Sequence, residues 1–186
     1  MAPRDPSLLF RNVCEMEARN FFVKIMEYHV TVSKIVNLLK DNDLWFETFE
    51  HEPVHTSEEA AKIRDGYTLK QGAKALIVRV KTVGEKYFVM LVMRGDTKFN
   101  NDKVKSLLKA KDIRFATEVE VDEITNGIQT GGVPPFGNLF GIRVIVDQGL
   151  FSNEKIVFNA GDRRFSVAMK SEDYKMLVKP EIESII

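Results

Sequence analysis

The spacing of apolar side chains divides the chain into short helices and short strands. Phe21, Phe22, Ile25 and Met26 fall at helical spacing. Val32, Ile35, Val36 and Leu39 repeat it, which predicts a second helix capped by Thr31 and ended by Asp41-Asn42-Asp43. Residues 44–50 are rich in aromatics and alternate, as a strand does, and His51-Glu52-Pro53 turns the chain after them. Thr56-Ser57-Glu58-Glu59 has the spacing of a capping box, with a short helix running to about Arg64 and closing at Gly66. Residues 74–81 and 86–93 are two β-rich runs joined across Gly84, which predicts an antiparallel pair at the centre of a sheet.

The second half continues in the same style. Asn101 is placed to cap a helix carrying Val104, Leu107 and Leu108, residues 113–116 suit a short strand, and residues 117–126 suit a helix ending at Gly127. Residues 142–147, 155–159 and 165–169 have strand character, and Ser171 is placed to cap a last helix that Pro180 stops. Strand pairs and helices are mixed rather than strictly alternating. The expected fold class is therefore α+β, a single domain with a mixed, mostly antiparallel central sheet and flanking helices. Residues 1–30 form an expected N-terminal extension, partly helical, and residues 31–186 the domain proper.

Composition narrows the chemistry. The 186 residues are 44% hydrophobic, enough for one good core but not for two. The 27 basic side chains balance 27 acidic ones, so nothing drives a general, salt-dependent coating of nucleic acid, and any such contact must use a local patch. One cysteine, Cys14, excludes an intrachain disulfide, and with His29, His51 and His55 it makes a poor zinc set. No apolar run approaches a membrane span or a leader segment. A cytoplasmic protein without metal or cofactor is expected.

Two features carry candidate chemistry. Gly131-Gly132-Val133-Pro134-Pro135-Phe136-Gly137 lies between strand-like runs; its glycines leave backbone N–H groups uncovered, and its prolines fix φ and remove competing donors. Such a loop suits an oxygen-rich ligand, although Gly and Pro also build ordinary turns. Lys74 opens an otherwise apolar strand, which puts its ammonium at the rim of the sheet, where it meets a phosphate or simply reaches for water. Phe136 suits either stacking on a base or anchoring the loop. Asp162-Arg163-Arg164 suits either a phosphate backbone or a solvated hairpin tip. Arg94-Gly95-Asp96 is expected as the turn after a strand.

Taken together, His51-Glu52-Pro53, Thr56-Ser57-Glu58-Glu59-Ala60-Ala61, Gly72-Ala73-Lys74-Ala75-Leu76, the Gly131 to Gly137 loop and Asn159-Ala160-Gly161 resemble one family. It is that of the YbaK/ProX-type aminoacyl-tRNA deacylases, relatives of the editing insertion domain of bacterial prolyl-tRNA synthetases. The resemblance spans about residues 44–178. It implies a trans-editing hydrolase that cleaves the ester between a wrongly attached amino acid and the 3′ acceptor end of tRNA, with an aminoacyl-tRNA synthetase as a further partner. On the same resemblance, Lys74 looks like the lysine that engages the phosphate of the terminal adenosine. Gly131, Gly132, Val133, Pro134 and Pro135 look like the Gly-x-x-x-Pro loop that holds the acyl ester. Glycine N–H groups then stabilise an oxyanion and no nucleophilic side chain is needed. Phe49, Thr56, Ser57, Phe136, Gly137, Asn159, Gly161 and Ser166 complete the expected substrate-contacting set.

Departures from the family pattern bear on specificity. Alanine-specific relatives carry a histidine shortly before the segment matched by Asn159-Ala160-Gly161, where this chain has Ile156-Val157-Phe158. The Tyr-Glu-His of the cysteine-specific deacylase is matched by Phe49-Glu50-His51, and one of its aspartates by Ser166. Thr56, Ser57 and Ser166 instead suit a serine- or threonine-sized side chain, although Thr56 and Ser57 have a sufficient task in capping a helix. Two rivals stay open on the residues: a non-catalytic module of the same fold that binds tRNA ends or a synthetase, and a protein that docks a partner through Leu8, Leu9 and Phe10.

Overall fold

The computed structural model describes Ile25, residues 27–54 and residues 56–186. The expected extension, with Phe21, Phe22 and Met26 and the docking residues Leu8, Leu9 and Phe10, thus lies almost wholly outside the described residues. In chain order the elements are α1 (Val30–Asp41), β1 (Phe46–Glu50), α2 (Ser57–Ile63), β2 (Ala73–Lys81), β3 (Lys86–Arg94), α3 (Asn101–Leu107), β4 (Asp112–Phe115) and α4 (Glu118–Thr125). They continue with β5 (Arg143–Asp147), β6 (Lys155–Asp162), β7 (Phe165–Lys170), α5 (Ser171–Val178) and β8 (Glu181–Glu183). Three 3₁₀ turns, Leu69–Gln71, Gly137–Phe140 and Gln148–Ser152, fill the connections.

The α+β class holds, but the strands divide between two sheets. β1-β7-β6 is three-stranded and antiparallel. The other sheet has the order β4-β2-β3-β5-β8, antiparallel at β4-β2-β3 and parallel at β3-β5-β8. The β2/β3 hairpin closes at Thr82 and Glu85, whose backbone bond is 3.0 Å. Its side chains alternate between two apolar clusters, as the period-2 geometry of a strand requires. Val78, Val80, Val89, Leu91 and Met93 face α3 through Val104 and Leu108, while Ile77, Met90 and Val92 face the space shared with α1 and the three-stranded sheet. Truncating a buried member such as Met90 to alanine costs about 2–5 kcal/mol.

Local capping follows the sequence with small shifts. Thr56 and Glu59 form the expected capping box, and Thr117 forms another with Glu120. Thr31 is not the cap of α1; it is buried in the first turn, and His29 caps instead, its Nδ1 accepting from the Thr31 N–H at 3.2 Å. The other ring nitrogen of His29 donates to the Asn126 carbonyl at 2.9 Å, so a neutral ring meets both needs. The cap of α3 is Asn100 rather than Asn101, and Ser171 is the first residue of α5 rather than its cap. β8 and the split into two sheets depart from the expected single sheet.

Two long-range features place the site. A parallel bridge between Gly72 and Val157 sets the start of β2 beside the middle of β6. A bulge in β6 between Asn159 and Asp162 lets α1 sit close on the strand. At its centre Gly161 has φ +110°, and an added Cβ would lie 2.8 Å from the Thr31 Cβ.

Candidate active site

A cavity of about 390 Å³ opens between α2, the start of β2, the β4/α4 junction, residues 130–133 and the middle of β6. Lys74, near the N-terminal end of β2, lines it. Its Nζ donates to the Thr97 carbonyl at 2.5 Å and lies 3.5 Å from the Gly95 carbonyl, both just beyond the end of β3. Partial burial lowers the Lys74 pKa from its ordinary value, so the ammonium is a half-desolvated charge steadied by backbone dipoles.

Gly131 lines the same cavity from the other half of the chain. Its φ of +92° is a conformation glycine adopts without strain. Its carbonyl accepts from Asn159 Nδ2 at 2.7 Å, while no group among the described residues accepts from its N–H. The rest of the loop turns inward. Val133 still touches the cavity, but the Gly132 N–H is bonded to the Gln129 carbonyl at 2.8 Å and its own carbonyl accepts from Gly161. Pro134, Pro135, Phe136 and Gly137 are buried behind it. Phe136 is fully buried against Phe158 and Tyr174, whose hydroxyl donates to the Pro135 carbonyl at 2.7 Å. Phe136 is thus the anchor of the loop rather than a stacking platform.

The other expected contact residues separate in the same way. Thr56 and Asn159 line the cavity. Phe49 stands behind Tyr67, edge to face at 5.6 Å, and Tyr67 is the ring that lines the wall. Gly161 packs on α1, away from the cavity. Ser57 is the first residue of α2, and its side chain lies outside the described part of the structure. Ser166 does not reach the cavity either: it is fully buried, and its Oγ lies 2.7 Å from His51 Nε2, 3.0 Å from Arg64 Nε and 3.0 Å from Asn159 Oδ1.

The Ser166–His51 distance is that of a nucleophile and its base, but the surroundings deny the role. The Ser166 oxygen already accepts an N–H from Arg64, and its one proton has two acceptors, His51 Nε2 and Asn159 Oδ1. His51 Nδ1 donates to the Glu52 carbonyl at 2.9 Å, which fixes the neutral tautomer. Burial pushes the His51 pKa below its ordinary value. The pair is a supporting network, with no path for an attacking oxygen.

Arg64 is the functional candidate the sequence did not reveal. It lies at the end of α2, 6% exposed, and lines the cavity. Its Nε bonds Ser166 Oγ, and its Nη2 bonds Asn159 Oδ1 at 2.7 Å. Burial lowers its pKa to about 10, which leaves it charged at neutral pH. Arg163 also borders the cavity and donates through Nε and Nη2 to the Thr130 carbonyl, the former at 2.7 Å, so the expected hairpin-tip arginine braces the loop. Its neighbour Arg164 is paired with Asp162 at 2.9 Å. The cavity therefore carries three cations, Arg64, Lys74 and Arg163, against one carboxylate, Glu118. Among the described residues no cluster of His, Cys, Asp and Glu could hold a metal ion, and no helix is long and apolar enough to cross a membrane.

The site is thus a cation-rich cleft with an open glycine N–H on a two-sheet α+β frame. Residues 51–177 match the aminoacyl-tRNA editing domain, and the chain belongs to that family. With the family goes the enzyme class, aminoacyl-tRNA deacylase. The chain is 33% identical over 154 residues to the multifunctional Ser/Thr-tRNA deacylase ProXp-y of Escherichia coli K12, covering 82% of this chain and 91% of that protein. It is 27% identical over 161 residues to a proline–tRNA ligase of Fusobacterium nucleatum, covering 83% of this chain but 27% of the ligase. A solved structure proposed to be a trans-editing enzyme for prolyl-tRNA synthetase superposes with a TM-score of 0.68 at 20% identity, over 83% of this chain and 96% of the other, a likeness of fold.

Proposed function

We propose that the protein is a cytoplasmic trans-editing hydrolase that removes serine or threonine from mischarged tRNA. The terminal adenosine of the 3′ end enters the cavity, its phosphate meeting Lys74 and its acyl ester meeting Gly131. One observation carries this reading: Lys74 and Gly131, far apart in sequence, line a single cavity whose volume falls in the range of small-ligand sites, roughly 300–1,000 Å³. To bind phosphate, the Lys74 ammonium exchanges its contacts to the Thr97 and Gly95 carbonyls for a stronger anionic partner.

The chemistry is ester hydrolysis by an ordered water. Placement of ester and water supplies much of the acceleration, and a backbone N–H directed at the carbonyl oxygen supplies electrostatic stabilisation as charge develops there. The Gly131 N–H is suited to that task because no group among the described residues competes for it. Serine and threonine are favoured by the similarity to ProXp-y over nearly its whole length and by a cavity wall that combines Thr56 with the amide of Asn159. A synthetase is the natural partner of an enzyme acting on its product.

Incubation with tRNAs mischarged with serine, threonine, alanine and cysteine tests the proposal. Release of serine and threonine, lost in Lys74→Ala, is the expected result. Wild-type protein inactive on every member would instead leave a tRNA-end binding module.

A further inference from the structure

We infer that Arg64 is a second catalytic cation, whose guanidinium edge receives the ester carbonyl oxygen as that oxygen becomes negative. The inference rests on the deacylase reading above and adds a residue to its chemistry. Four observations support it.

Arg64 is nearly fully buried, yet none of the ion pairs among the described residues includes it. A buried cation held only by neutral groups is costly to keep, and its natural complement is an anion that arrives with the substrate. The guanidinium is also fixed in orientation, Nε on Ser166 and Nη2 on Asn159. Every fully buried side-chain nitrogen and oxygen among the described residues has a hydrogen-bond partner, whereas Nη1 has no partner among them. Nη1 is therefore not sealed in, and Arg64 is one of the residues that line the cavity. Finally, Asn159 joins Arg64 to the loop, since the amide that accepts from Nη2 donates to the Gly131 carbonyl. The cation thus belongs to the Gly131 end of the cavity.

The depth of each cation decides which charge it meets. Lys74 is half-buried and suits the standing charge of a phosphate, which stays partly hydrated. Arg64 is deeper and suits a charge that exists only during reaction. As the water oxygen bonds to the acyl carbon, the carbonyl π pair moves onto oxygen and Nη1–H stabilises it. Collapse of the intermediate re-forms the carbonyl and breaks the bond to the ribose oxygen. That oxygen leaves with a proton originating from the water, giving free amino acid and a restored ribose hydroxyl.

The test is single-turnover deacylation of mischarged Ser-tRNA by wild type, Arg64→Gln and Arg64→Lys, beside binding of a non-hydrolysable amide-linked seryl-tRNA. Arg64→Gln should slow the chemical step by about 100-fold or more while analogue affinity stays within about 3-fold, the signature of an interaction made only in the transition state. Arg64→Lys, which keeps charge but not the fork, should fall between. Methylguanidinium should restore part of the rate to Arg64→Ala, a recovery that a purely structural role does not give. Should Arg64→Gln fail to fold, the lysine variant and the rescue decide. Arg64→Gln and Arg64→Lys both retaining the wild-type rate would overturn the role and leave the deacylase reading intact. Analogue binding that weakens in step with the rate would make Arg64 a reader of the ground state and overturn it too. Wild type without deacylation would remove both.

Discussion

The two ends of the cavity are built by different means. At the Lys74 end the scaffold is local: a β2/β3 hairpin with continuous pairing from Ala73 to Lys81, and backbone carbonyls just past β3 that hold the ammonium. At the Gly131 end the scaffold is a side-chain network drawn from distant parts of the chain. Arg64 from α2, Asn159 from β6, Ser166 from β7 and His51 after β1 meet there and hold one loop carbonyl. A backbone-held end tolerates changes around it, because the carbonyls remain whatever the side chains are. A network end fails as a unit, because removing one member leaves buried partners unsatisfied. Substitutions at the Lys74 end should therefore affect activity alone, and those at the Gly131 end should affect activity and stability together.

Lys74→Ala should give the largest effect on rate, a loss of about 100- to 1,000-fold in amino-acid release, with the thermal midpoint unchanged or slightly raised because a half-desolvated charge has gone. A midpoint that drops by more than about 4 °C would break the contrast, since it would make the lysine part of the scaffold. Asn159→Ala comes next. It unpairs the Gly131 carbonyl and Arg64 Nη2 together, with an expected cost of about 1–3 kcal/mol by denaturant titration and a rate loss of about 10- to 50-fold.

Ser166→Ala sharpens the comparison further. The sequence places Ser166 among the residues that read the substrate, whereas the structure seals it behind Arg64 and Asn159. Its loss should cost about 1–2 kcal/mol and leave the ratio of serine to threonine release unchanged. A changed ratio would return Ser166 to the substrate wall. The smallest expected effect lies at His51. Burial lowers its pKa in the folded protein, so the unfolded chain binds this proton more readily, and stability is lost as pH falls through about 6.5. His51→Gln should flatten the fall in thermal midpoint between about pH 7 and pH 5.

The same contrast sets what the sequence could reveal. The Thr56–Glu59 capping box and the β2/β3 hairpin are decided within a few residues, so spacing and polarity alone expose them. Arg64 is hidden for the opposite reason. Followed by Asp65 and Gly66 at the end of a short helix, it has the form of a solvated terminal cation that favours the helix dipole. Only the arrival of Asn159 and Ser166, about a hundred residues later, turns it into a buried charge. β8 was equally illegible. Glu181-Ile182-Glu183 lacks any apolar run, and it becomes a strand through parallel pairing with β5 and an Arg143–Glu181 ion pair. The division into two sheets depends on pairings of that kind and leaves no local mark.

The most direct test of the central claim, that both ends serve one bound aminoacyl end, is backbone amide NMR of the protein titrated with 3′-deoxy-3′-serylamido-adenosine 5′-phosphate. The amides of Gly72, Ala73 and Lys74 and those of Thr130, Gly131 and Asn159 should shift together, with a common dissociation constant. Shifts confined to one group, or appearing instead around exposed Met176 and Ile182 on α5 and β8, would contradict it.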